Sequence, residues 1–253
     1  MKTEDIKSTS DFIHFLSTVT DCFLPHDSEE KSNAIARTAF HSEVLYILPE
    51  THDLRNIVNY SNIKFVTINN YKLDQKGLKI LKEYKTVFEN VKFLNIWNCK
   101  QPDLELLELF PNVTHLLISY IRKADFSFKG LDYLHQLETV VLSSVNKITD
   151  FHFLTKTQKE KIKHLHLTYT AKLTKFDGIE DFKQLKTLTL FASTMESRKT
   201  VSLESLDGLE KLSNLEHFEI DYFKYDAEEL KQKLKPLKKL KHYKVKNTVF
   251  ENN

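Results

Sequence analysis

The chain has 253 residues, of which 41% are hydrophobic and 28% charged, with a net charge of +2. Those proportions belong to an ordinary soluble folded protein, and the near-neutral balance gives no global pull toward nucleic acid or an anionic membrane. Four Gly and five Pro leave little material for flexible linkers, and two cysteines, Cys22 and Cys99, make no disulfide framework.

The opening stretch, MKTEDIKSTSDF, carries no apolar run of signal-peptide type, and no later run approaches the length of a membrane span. The cytoplasm is the expected compartment; signal-independent export would leave the same sequence. Residues 1–40 do not repeat. Asp11 to Phe23 and Ser28 to Phe40 each read as an amphipathic helix, with Phe12, Phe15, Leu16 and Val19 on one face of the first. Their expected role is a helical cap over the amino-terminal end of whatever follows.

From residue 41 to 253 the chain repeats. After an irregular strand candidate, Val44 to Leu48, the pattern apolar-x-x-apolar-x-apolar begins. It fits Ile63-Val66-Ile68, Val91-Leu94-Ile96, Val113-Leu116-Ile118 and Leu137-Val140-Leu142. It fits again at Ile162-Leu165-Leu167, Leu185-Leu188-Leu190, Leu215-Phe218-Ile220 and Leu240-Tyr243-Val245. Start-to-start spacings are 28, 22, 24, 25, 23, 30 and 25 residues. The last two apolar residues of each hit are two apart and so share one side of an extended strand. The segments between, such as DLELLELF, GLDYLHQL and SLDGLEKLSNL, have helical character. Leu230, Leu234 and Leu237 recur at helical spacing after Asp226 and Glu229, which are placed as a capping box. Each unit is therefore strand, turn, short helix, and only a stack of such units buries the apolar side. The surplus in the 30-residue spacing falls at residues 193–204 and is expected to leave the stack as a surface loop.

Over roughly residues 40 to 248 the chain resembles the leucine-rich-repeat family. Besides the strand motif, WNCKQPDLELL places Cys99 at the ninth position, and VNKITDFHFL reads like the segment leading into a helix. The ninth position, usually Asn or Cys in that family, is otherwise Tyr71, Ile121, Val145, Thr170, Ser193, Phe223 and Thr248, so the subfamily is open. The resemblance implies an α/β solenoid of about eight units with a basic carboxyl-terminal cap. Parallel strands would line a concave face, helices would cover the convex one, and partners would lie against the strands.

Carried over by position, the third residue of each motif faces outward: Phe65, Phe93, His115, Thr139, His164, Thr187, His217 and His242. The fifth adds Thr67, Asn95, Leu117, Val141, His166, Thr189, Glu219 and Lys244. The seventh includes Trp97, Phe191 and Asp221, and the eighth Tyr120, Tyr169 and Tyr222. A water-facing sheet should be mostly polar, so Phe65, Phe93, Trp97, Tyr120, Tyr169 and Phe191 are surplus apolar area of the kind that concentrates binding energy. An amino-terminal cap or a loop lying over Phe65 and Phe93 is the alternative use for two of them. With Asn95, His164, His166, Glu219, Asp221 and Tyr222 they form the expected partner-binding set.

Eight lysines and no acid lie between Lys231 and Lys246. They read as a solvated cap on the last edge, neutralised by Glu216, Glu219 and Asp221, rather than as a phosphate-binding strip. His164 and His166 share one side of one strand and are the best metal candidate, but their neighbours Thr139, Thr187, Val141 and Thr189 supply no third ligand for zinc. No glycine-rich phosphate loop, HExxH or GxSxG motif is present. Cys99 reads as a buried thiol. The expected function is therefore a non-catalytic, cofactor-free module, monomeric when free, that binds another protein. A toxin-neutralising immunity protein or a host-directed effector are two forms of it; a metal-dependent hydrolase centred on His164 and His166 is the alternative of another class.

Overall fold

The computed structural model describes residues 44–47, 63–69, 75–121, 123, 125–193, 200–245 and 248–251. The helices expected within residues 1–40 lie outside that set. Every motif hit is a strand. In chain order the strands are β1 (Val44–Ile47), β2 (Phe65–Asn69), β3 (Phe93–Trp97), β4 (His115–Ser119), β5 (Thr139–Ser143), β6 (His164–Thr168) and β7 (Thr187–Phe191). They continue with β8 (Val201–Ser202), β9 (His217–Asp221), β10 (Phe223–Lys224), β11 (His242–Val245) and β12 (Thr248–Glu251). One ten-stranded sheet runs β1-β2-β3-β4-β5-β6-β7-β9-β11-β12, parallel throughout until β12 folds back antiparallel on β11.

The register is the one the motif demands. Leu94 sits beside Leu116, Leu116 beside Val140, Val140 beside Leu165, Leu165 beside Leu188 and Leu188 beside Phe218. All six are buried, as are Ile96, Ile118, Leu142, Leu167, Leu190 and Ile220 two positions on. A slip of one residue would turn both apolar columns outward, so burial itself fixes the pairing. Just before each strand one carbonyl serves two donors of the next unit. The Thr114 oxygen, for example, accepts from the backbone N–H groups of Glu138 and Thr139.

Behind the sheet the short helices are mostly single 3-10 turns: Glu105–Leu109, Leu131–Tyr133, Ile179–Asp181 and Leu209–Lys211. The reason is the spacing of their buried residues. Leu131, Leu134 and Leu137 recur every three residues, as do Ile179, Phe182 and Leu185, and Leu209, Leu212 and Leu215. Three per turn is the 3-10 period, not the α period. Gly130 opens one such turn at φ 93° and packs so tightly on the preceding unit that a Cβ there would lie 2.7 Å from the Glu105 nitrogen. True α-helices are α1 (Gln75–Glu83), α2 (Lys156–Lys159) and α3 (Ala227–Leu234). In the last, the Asp226 carboxylate caps the N–H groups of Glu228 and Glu229 at 2.8 and 3.0 Å, and Leu230 and Leu234 are buried four apart.

The insertion departs from expectation. Residues 194–199 lie outside the described set, but β8 within it pairs in parallel with β10. The Glu204 N–H then donates to the Thr174 oxygen at 2.7 Å, and Ser205 bridges to Lys175. The later part of the segment is thus not a free loop. Its backbone groups are used by a second, two-stranded ladder on the flank, because Val201 and Leu203 carry apolar surface that packs against the core.

Candidate functional site

The outward columns match position for position. Phe65, Phe93, His115, Thr139, His164, Thr187, His217 and His242 form one row across adjacent strands, and Thr67 through Lys244 the next. Their exposure does not follow the expectation at the amino-terminal end. Phe65 is fully buried, and Phe93 and Asn95 are only 7% and 4% exposed. The Phe93 ring lies 6.4 Å from that of Phe65 and 4.6 Å from that of His115. Asn95 sits between Thr67 and Leu117, with its amide 3.5 Å from the Thr67 hydroxyl. These three residues do not add to an open surface.

Trp97 and Tyr120 do. They are 37% and 44% exposed, and their rings meet edge to face with centroids 6.1 Å apart. Trp97 ends β3, and Tyr120 follows the last residue of β4. The two therefore stand on neighbouring strands at the rim where the chain leaves the sheet.

That rim has a backbone signature which the sequence hides. Asn98, Tyr120, Ser144, Tyr169 and Tyr222, each one residue past a strand, all have φ between 56° and 61°. The left-handed conformation turns the chain away from the strand, and in three of the five the N–H then reaches the next unit. Asn98 donates to the Ser119 oxygen, Tyr120 to Ser143 and Ser144 to Thr168, each at 2.9 Å. Asn tolerates this region; a tyrosine is held there at a cost of roughly 1–2 kcal/mol. Tyr169, Phe191 and Tyr222 are each half-buried, and Tyr222 packs against the core.

Further along the face the chemistry is mild. His164 Nδ1 lies 3.1 Å from the Thr187 hydroxyl, and burial holds the His164 pKa below its usual value. Burial pushes His166 and His115 further down, each to about 4, so both are neutral at pH 7. His217 and His242 stack at 5.3 Å and 13°. Glu219 pairs with Lys244 at 2.6 Å and Glu216 with Lys241 at 2.6 Å, so the basic and acidic strands do neutralise each other. Asp221 makes no ion pair among the described residues; its Oδ1 accepts from the Tyr222 N–H at 2.7 Å. Among the described residues no three His, Cys, Asp or Glu side chains come together as ligands. Cys99 is a buried thiol, its pKa pushed up to about 11 by desolvation, and it is therefore protonated rather than nucleophilic at pH 7.

The set named from sequence thus divides in place. Trp97 and Tyr120 form one aromatic contact over β3 and β4. His164, His166 and Tyr169 belong to β6 and its end, Phe191 to β7, and Glu219, Asp221 and Tyr222 to β9 and its end. Five strand steps of about 4.8 Å separate β3 from β9, so the two ends stand about 24 Å apart. The buried Lys159, which ties two units together on the opposite side, was not singled out from sequence; nothing in a lysine between Gln158 and Glu160 marks it.

No protein-family model matches the chain, and no characterised protein matches it in sequence. Among solved structures it is similar to an internalin from Listeria monocytogenes, with a TM-score of 0.53 and 15% identity over 83% of this chain. That match spans 55% of the internalin structure, so the chain corresponds to about half of it. A leucine-rich-repeat protein from Leptospira interrogans also aligns, at 14% identity over 83% of this chain and 70% of its own, with a TM-score of 0.36. The fold is that of a leucine-rich-repeat solenoid. No helix among the described residues is long and apolar enough to cross a membrane.

Proposed function

We propose that this solenoid is a non-catalytic module that binds another protein across its strand face, anchored at the Trp97–Tyr120 rim. The observation that carries this reading is the exposed edge-to-face pair itself. Large aromatic side chains left open to water on a strand face are the residues that dominate protein interfaces when a partner covers them. The leucine-rich-repeat fold supports the same reading in general terms, since its stacked strands offer a long continuous surface.

The half of the face around His164 and His166 supports binding better than chemistry. His166 is neutral at pH 7 and flanked by Val141 and Thr189, His164 is engaged by the Thr187 hydroxyl, and among the described residues no third metal ligand joins them. A toxin or a host protein are the partners that the immunity-protein and effector forms of this reading would have. Affinity capture from the source cells with the wild-type chain and with Trp97→Ala, side by side, tests it. A protein retained by the first and lost by the second supports the reading. Capture of the same proteins by both chains removes the rim from it.

A further inference from the structure

Along the outward row that begins at Phe65, exposure changes in a way the sheet alone does not produce. Phe65, Phe93 and Thr139 are buried, His115, His164 and Thr187 are half-buried, and His217 and His242 are exposed. Thr139 and Thr187 each sit between two histidines of the row, so those neighbours do not set the difference. Phe65 and Phe93 face away from the core: Val66, Ile68, Leu94 and Ile96 belong to the apolar cluster behind the sheet, and the two phenylalanines do not. Exposure should rise toward a sheet edge, as it does at β9 and β11. Toward β1 it falls instead. Phe65 is fully buried within a single chain, so its cover belongs to that chain. Along β3, Phe93 and Asn95 are buried and Trp97 is exposed, so the cover stops short of the rim.

The described turns and helices send their buried residues to the core behind the sheet. The segment before β1 has no such obligation, and it enters the sheet beside Phe65, since Val44 pairs with Phe65. We infer that residues Asp11 to Phe23 lie on this shelf as an amphipathic helix crossing β2, β3 and β4, with Phe12, Phe15, Leu16 and Val19 against Phe65 and Phe93. The two apolar surfaces then remove each other from water. From Phe12 to Val19 a helix advances about 10.5 Å, and the two strand steps from β2 to β4 span about 9.6 Å. A helix about 10 Å wide covers the Phe93 and Asn95 positions and leaves the Trp97 position open. Residues 24–43 give twenty residues of chain to join the helix to β1, more than the crossing needs. The segment is thus placed on the strand face and not over the end of the stack. A protein anchored at Trp97 and Tyr120 gains the Phe65–Phe93 shelf only by displacing it, yet the inference stands whether or not the rim has a partner.

The test is photocross-linking of the full chain carrying Phe93→p-benzoylphenylalanine, read by mass spectrometry of its peptides. The benzophenone is expected to join to a residue within 11–23 of the same chain. Joining to residues 28–43, 48–62 or 70–74, to a second copy, only to neighbours on β2 and β4, or to nothing overturns the proposal. Should circular dichroism show that this bulky side chain disturbs the fold, two smaller substitutions decide in its place. Phe15→Ala should lower the urea midpoint of the wild-type chain, and lower it by less than about half as much in a chain that already carries Phe93→Ala. No drop in the wild-type chain, or equal drops in the two backgrounds, overturns the proposal.

Discussion

The Lys159 ammonium crosses from one repeat to the next and donates to the Gly178 carbonyl at 3.1 Å and to the Asp181 carboxylate at 3.0 Å, with 3% of its side chain exposed. It fills the space at Gly178 where a Cβ would come within 2.9 Å of its Nζ. Lys159→Met keeps the length of the stem but leaves that carbonyl without its donor and Asp181 without its counter-charge. Stability should fall by about 1–3 kcal/mol, read as the urea midpoint. Lys161→Met, two residues away on an exposed lysine, should change it by less than about 0.5 kcal/mol.

The central row of the stack should respond as a core. Leu165 is fully buried between Val140 and Leu188, so Leu165→Ala should cost about 2–5 kcal/mol. An unchanged urea midpoint would mean that the register is wrong.

Those two residues mark how far the sequence could be read. Leu165 was legible because a two-residue strand period repeated eight times leaves one consistent set of pairings. Lys159 was not, since a lysine within a charged stretch looks solvated until the next unit closes over it. The rim was half legible: the position of Trp97 and Tyr120 followed from the motif, but the left-handed backbone of Tyr120, Tyr169 and Tyr222 did not, because tyrosine is no turn-forming residue. Phe93 and Asn95 lie on the expected side, but exposure depends on what surrounds a residue, and strand alternation reports only direction.

Acid should destabilise the strand face over a defined range. His115 and His166 have folded pKa values of about 4, depressed by burial from an ordinary 6.5. Between those values the unfolded chain binds protons that the folded chain refuses. Stability is therefore complete above pH 6.5 and falls as the pH drops toward about 4. His166→Gln should flatten this part of a plot of urea midpoint against pH, and an unaltered slope would mean that His166 titrates normally.

Gly130 combines a left-handed φ with the close approach to Leu104 and Glu105. Gly130→Ala should lower stability by more than about 1 kcal/mol, because the backbone conformation and the contact both oppose a side chain. A neutral result would show that the 3-10 turn beginning at Leu131 can move away from the preceding unit.

The most direct test of the account is the affinity of Trp97→Ala for the captured partner, measured beside its urea midpoint. Trp97 is 37% exposed and touches Tyr120 by its edge, so removing the indole should leave the fold nearly unchanged. Binding should weaken by about 2 kcal/mol or more, roughly thirtyfold. A large loss of stability with affinity intact would contradict the account: Trp97 would then be a packing residue, and the surface that meets the partner would lie elsewhere.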